Sequence, residues 1–271
     1  MQKLYKTHKN FITFPFKFNS QELKNAPICG MTVRSAGSMR FRWNEKNQIR
    51  DDFLKSISKD KTFVPIELIH SHIVYDISTK DDTFLLQGDG IITKNTELIP
   101  TVTVADCMPI FIYNPFSKVF GIVHSGWKGT GIVVDAINLA CKNYNSKPED
   151  FCVILGPHIR NCCYLVNEER ADFFIKNFSK ECIEPFDNEN QSFLAKKINW
   201  NNGNGKIFRL SLEKANLFAL KNIGVKDENI NIIKECTCCN EKFGSNRRET
   251  AFSNKQDTFT VQAAFINLQK D

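Results

Sequence analysis

The chain has 271 residues, 42% hydrophobic and 24% charged, with a formal net charge of +6, which is ordinary globular composition with ample length for a core. Lysines are spread along the chain and no basic run is interleaved with aromatics, so nucleic-acid binding is not signalled. No apolar stretch reaches the ~18 residues of a membrane helix, and the N-terminal MQKLYKTHKNFITFPF lacks the apolar centre and small-residue cleavage site of a secretion signal, so a cytoplasmic protein is expected.

Residues 1–20 read as irregular structure leading into a strand, with Phe at 11, 14, 16 and 18. Residues 28–43 read as two short strands around Ala36-Gly37-Ser38. Ile49, Phe53, Leu54 and Ile57 recur at helical spacing and predict a helix over 45–58. Residues 62–77 alternate as strands, and period two places His70 and His72 on one face. Gly88-Asp89-Gly90 marks a turn before a short strand. The run Val102 to Tyr113 reads as one strand carrying Asp106-Cys107 in its middle. Asn114-Pro115 turns the chain, and a second strand, Val119 to His124, ends at His-Ser-Gly-Trp-Lys-Gly-Thr-Gly.

A helix over 132–144 and a buried strand over 151–155 follow. Helices over 167–180 and 211–222 are predicted with Asn167 and Ser211 as caps and Gly224 as a stop. An Asn-rich loop over 185–206, a strand over 230–236 and a last strand over 259–268 complete the chain. Strands alternate with helices, yet several neighbouring strands have hairpin-length connections. The expected fold class is therefore α/β (mixed α+β), with mixed β-sheets and helices packed outside, as a single domain over 1–271.

His70, Cys107 and His124 form the strongest chemical constellation. Two imidazoles and a thiolate suit zinc at ~2.0–2.3 Å and leave a fourth position open, the catalytic arrangement. On spacing alone the plainer reading, a buried thiol and two core histidines, is preferred. The turn Gly126-Trp127-Lys128-Gly129-Thr130-Gly131 leads into a helix and suits a phosphate, although it is not a P-loop sequence and equally reads as a tight turn. Most of the ten cysteines read as small buried hydrophobes. Cys236-Thr237-Cys238-Cys239 lacks a second cysteine pair at usable spacing for structural zinc. Arg247-Arg248 offers forked donors to an anion, or is a solvated basic turn. Asp89 and Asp106 are candidate orienting or acid–base carboxylates, or turn caps. His72 and His158 have no nameable partner.

Four motifs occur in order: Asp-Gly-x-Ile-Thr (89–93), Ala-Asp-Cys-x-Pro (105–109), His-x-Gly-Trp-x-Gly-Thr (124–130) and Phe-x-Ser-x-Arg-Arg (243–248). Together they resemble the YfiH-like family, formerly called the multicopper polyphenol oxidase or laccase-domain family, over roughly residues 28–268. The resemblance implies a YfiH-like fold and a zinc-dependent purine nucleoside phosphorylase with adenosine deaminase activity. It implies zinc on His70, Cys107 and His124, with nucleoside and phosphate as small-molecule partners of a monomer or homodimer that binds neither nucleic acid nor membrane. S-Methyl-5′-thioadenosine is an expected further substrate. Arg34, Gly126, Lys128, Gly129, Arg247 and Arg248 are the implied substrate-binding candidates.

This sequence departs from the family pattern in three places. Leu68 replaces a Gln before the first ligand, Leu165 replaces a Glu after Tyr164, and Lys242-Phe-Gly-Ser-Asn-Arg-Arg248 replaces a more aromatic segment. The laccase label conflicts with a count of only five histidines, at 8, 70, 72, 124 and 158. Adventitious copper on the His₂Cys set is compatible with that count, whereas a trinuclear cluster is not. Two other readings remain open: a Cys–His hydrolase with Cys107 as nucleophile and His124 as base, and a non-catalytic metal-binding member of the family.

Overall fold

The computed structural model describes residues 5–186, 206–251 and 259–268. Most of the expected loop over 185–206 lies outside these residues. Two six-stranded mixed sheets are stacked face to face. The first has the order β1 (Lys6–Thr7), β2 (Phe11–Phe14), β5 (Ile28–Thr32), β17 (Gln262–Leu268), β9 (Leu98–Val104), β6 (Thr62–Pro65). The second has the order β16 (Ile230–Ile232), β12 (Cys152–Leu155), β10 (Met108–Tyr113), β11 (Phe120–Ser125), β8 (Gly90–Thr93), β7 (Val74–Asp76). A hairpin of β3 (Lys17–Phe18) and β4 (Gln21–Glu22) and a small sheet of β13 (Leu165–Asn167), β15 (Ile207–Leu210) and β14 (Ile183–Pro185) complete the strands.

The strands of the second sheet are apolar on both faces because both faces are covered. In β10, Met108, Ile110 and Ile112 join the core under the helices, whereas Phe111 and Tyr113 point between the sheets. In β12, Val153 and Leu155 take the helix side, and Cys152 and Ile154 the inter-sheet side. The helix layer comprises α2 (Ile132–Tyr144), α3 (Glu168–Asn177) and α4 (Leu212–Asn222). On the far side of the first sheet, Phe265 and Ala263 pack with Leu54 of α1 (Gln48–Ser58). The expected caps Asn167 and Ser211 each accept a backbone N–H three residues on, and so does Asn47, which starts α1 later than the expected residue 45.

Three expectations are corrected. The run 102–113 is two strands in two different sheets, β9 and β10, broken at Ala105-Asp106-Cys107. Asp106 sits at φ 80, and its carboxylate accepts from Thr237 Oγ1 (2.6 Å), Ser245 Oγ (3.0 Å) and the Arg247 amide (2.6 Å), which fixes the corner. Continuous apolar character cannot reveal such a corner, because both strands are buried on both faces. Second, residues 66–73 are loop rather than strand. His70 there has φ 59, and His72 turns away to Asp135 of α2 (2.7 Å) instead of sharing a face with His70. Third, the expected second strand near 38–43 is absent; a 3₁₀ turn over Arg34–Ala36 ends at Gly37, whose φ of 87 suits glycine.

Candidate metal centre

His70, Cys107 and His124 reach one point from three separate elements. Cys107 lies in the sheet corner just before β10, and His124 lies near the end of β11, where Pro109 pairs with it. His70 arrives on the loop between β6 and β7. One ligand atom from each lies within 4.8 Å of the other two. The two imidazole rings are edge-on, with centroids 5.0 Å apart.

Asp89 holds this arrangement. It immediately precedes β8, whose pairing with β11 places its carbonyl on the His124 amide at 2.7 Å. Its carboxylate is fully buried and accepts from the His70 amide (3.1 Å), the Ser71 amide (2.5 Å), the Ser71 hydroxyl (2.7 Å) and His124 Nδ1 (2.8 Å). Burial opposes its charge, but these hydrogen bonds hold its pKa below the ordinary value. An ionised carboxylate only accepts, so His124 donates from Nδ1 and leaves Nε2 for the cluster.

The electrostatics favour a bound cation. Burial alone would raise the Cys107 pKa, yet the charge and hydrogen bonds of His124 and His70 bring it down to about 6. Burial likewise opposes charge on His124, and Cys107 and Asp89 raise its pKa to about 9. A thiolate between two imidazoles, one oriented by a carboxylate, fits a soft divalent ion. Gly126 completes the fit, because a Cβ there would stand 3.0 Å from Cys107 Sγ, 3.5 Å from His70 Cδ2 and 3.7 Å from His124 Cε1.

The cluster opens into a cavity of about 480 Å³. Its wall carries four arginines (40, 42, 170 and 247) and four aromatic rings (Phe41, Trp127, Tyr164 and Phe259), with Glu67 and Asn246. Arg170 lies over Trp127 at 4.3 Å and Arg247 over Tyr164 at 5.9 Å, so two of the cations each face a lining ring. Of the sequence candidates for substrate, Gly126 and Arg247 line this cavity.

The remaining candidates are placed elsewhere. Arg34 is half exposed beside Glu249 at 3.9 Å. Lys128 stands over Trp127 at 5.4 Å, outside the lining. Gly129 packs against the Ser71 carbonyl. Two amides after it are engaged within the chain, Gly131 with Asn216 Oδ1 and Ile132 with the Gly129 carbonyl. Arg248 is buried and donates to the carbonyls of Thr237, Cys238, Asn240 and Phe243, an internal strut rather than a solvated turn. Arg40, Arg42, Arg170 and Tyr164 were not legible as lining residues, since nothing in their local pattern distinguishes them from surface cations and a core ring.

The family model described as multi-copper polyphenol oxidoreductase laccase matches residues 45–262. A purine nucleoside phosphorylase of Borreliella burgdorferi is 30% identical over 205 residues, 72% of this chain and 81% of that protein. The human purine nucleoside phosphorylase LACC1 is 29% identical over 212 residues, 77% of this chain but 44% of that protein, so the chain spans under half of this longer relative. Among solved structures, YfiH from Bacillus licheniformis superposes with a TM-score of 0.79 at 22% identity, covering 99% of this chain and all of that one. YlmD from Geobacillus stearothermophilus gives 0.78 at 21% identity and 99% coverage of this chain. This chain belongs to the YfiH-like family, the one described as multi-copper polyphenol oxidoreductase laccase.

Proposed function

We propose that this chain is a metal-dependent purine nucleoside phosphorylase, with zinc held by His70, Cys107 and His124. The carrying observation is the convergence of that cluster with a cavity lined by guanidinium groups and aromatic rings. Relatives at about this identity are named purine nucleoside phosphorylases. Aromatic faces stack a purine, and guanidinium groups match the charge and geometry of phosphate.

In the reaction, a phosphate oxygen bonds to C1′ of the ribose as the C1′–N9 bond breaks, and the leaving purine takes the electron pair and a proton. Arg170 and Arg247, each beside a ring, hold phosphate near the stacked base, and Arg40 and Arg42 add further positive charge to the lining. Asp89 keeps a proton on His124 Nδ1, so Nε2 is the nitrogen that would hold the metal, giving up its own proton when the metal binds. The chemistry that zinc supplies when bound is Lewis acidity and a lowered pKa for water, toward about 7. That chemistry also suits deamination of adenosine to inosine and ammonia. The substrates proposed are adenosine, inosine and S-methyl-5′-thioadenosine.

A second reading rests on the Cys107–His124–Asp89 relay, which has the order of a thiol hydrolase triad. His70 favours the metal, because a nucleophilic thiolate has no use for a second imidazole hydrogen-bonded to it. The laccase description is disfavoured by the remaining histidines. His8 stacks on Phe11, His72 pairs with Asp135 and His158 bonds the Gly156 carbonyl, so none joins the cluster.

The test is chromatography of products from adenosine, inosine and methylthioadenosine, with and without phosphate, beside Cys107→Ala. Phosphate-dependent base release that is lost in the variant supports the proposal. Undiminished turnover in metal-stripped protein supports the thiol hydrolase.

A further inference from the structure

A second sulfur cluster lies away from the catalytic cavity. Cys162 and Cys163 follow β12, and Cys236 and Cys239 follow β16. These strands pair in parallel, Val153 with Ile230 and Leu155 with Ile232, so both chains leave the sheet in the same direction. The pairing continues as a bridge between His158 and Cys236, with the Thr237 amide on the His158 carbonyl at 3.0 Å. The two loops thus bring four sulfurs together, all within 4.8 Å of one another. Cys163 and Cys239 are 3.2 Å apart, and Cys162 and Cys239 are 3.5 Å apart.

We propose that Cys162, Cys163, Cys236 and Cys239 bind a single zinc-class ion as a tetrathiolate. Zn–S bonds of about 2.3 Å in a tetrahedron put sulfurs about 3.8 Å apart. The two sulfur distances lie near that edge and far from the roughly 2.05 Å of a disulfide. Cys236-x-x-Cys239 has the spacing of a zinc knuckle, and the Arg160 amide points at Cys236 Sγ (3.5 Å), the N–H···S bond that stabilises a thiolate. Four thiolates around a divalent ion leave net negative charge. The buried guanidinium of Arg248 lies in the same loop, on the carbonyls of Thr237, Cys238 and Asn240, and offsets it. Cys163 and Cys236 are buried and Cys239 is exposed, which gives the ion a route in from solvent.

The ion would tie together two loops that shape the catalytic cavity. Tyr164 follows Cys163 directly, and Thr237, between two ligands, donates to Asp106, which holds the Arg247 amide. The site is therefore a clamp on the cavity wall.

The experiment is metal content per chain by mass spectrometry for protein purified under reducing conditions with zinc, comparing the native chain, Cys107→Ala and Cys239→Ser. The expected result is that Cys239→Ser holds one equivalent less than the native chain, whatever the catalytic site holds. Equal content in the two overturns the proposal. A second measurement covers a Cys239→Ser variant that does not fold: cobalt-loaded Cys107→Ala should keep an intense sulfur-to-cobalt charge-transfer absorption. Its absence, or a native disulfide from Cys239 to Cys162 or Cys163 in anaerobic peptide mapping, also overturns it.

Discussion

Asp89 accepts the Nδ1 proton of His124 at 2.8 Å, and the same carboxylate holds the loop that delivers His70. One buried anion thereby sets the tautomer of one ligand and the backbone of another. Asp89→Asn places an amide N–H₂ against donors on one side, either the Ser71 amide and hydroxyl or the His70 amide and His124 Nδ1. A 10–100-fold loss of metal affinity is expected, measured by competition with a chromophoric chelator. Unchanged affinity would show that Asp89 does not orient the ligands.

Gly126 is required by space rather than by backbone angle. A methyl group would press on Cys107 Sγ and touch both imidazole rings. Overpacking of this kind costs about 1–3 kcal/mol, or about ten- to hundredfold in metal affinity, with little change in fold. Chelator competition together with a thermal melt separates the two effects.

The metal-free protein should show an unusual thiol at Cys107. Its pKa is depressed to about 6 by the flanking imidazoles, so the thiolate, the reactive form, prevails above that pH and is lost only as pH falls through it. Alkylation by iodoacetamide should persist near pH 6.5, where an ordinary thiol, with pKa about 8.5, has slowed. Zinc should protect it. Alkylation with an ordinary thiol profile, read by peptide mass mapping, would contradict this electrostatic account.

The neighbouring arginines 247 and 248 should separate cleanly. Arg248 donates to four carbonyls in the wall, and Arg248→Met should destabilise the fold by about 3 kcal/mol. Arg247 lines the cavity beside Tyr164. Its side chain donates to the Leu165 carbonyl, against four carbonyls for Arg248, so Arg247→Met should lower the melt less than Arg248→Met and weaken the dependence of rate on phosphate, read as a raised KM for phosphate.

The contrast between these two arginines also shows where the sequence stops informing. Their side-by-side motif is plain in the chain, but only the wrapping of the 237–243 carbonyls around Arg248 makes it internal. His124 is carried by a motif and His70 only by its position in the family pattern, whereas His72 separates from His70 only once a positive-φ loop replaces the expected strand. The corner at Asp106 is hidden by apolar residues on both sides of it. Cys236 and Cys239 lacked a partner pair in the sequence because that pair is adjacent, Cys162-Cys163, and some seventy residues earlier; the parallel β12–β16 pairing supplies the proximity. Helix caps and the two-sided apolar strands were readable, since they depend on local chemistry and period alone.

The most direct test of the nucleoside phosphorylase proposal is phosphorus NMR of zinc-loaded protein with inosine and inorganic phosphate. The account predicts a ribose 1-phosphate resonance that grows in step with hypoxanthine and is missing with a folded Cys107→Ala variant. Hypoxanthine without a phosphate ester, or an ester signal undiminished in that variant, would contradict it.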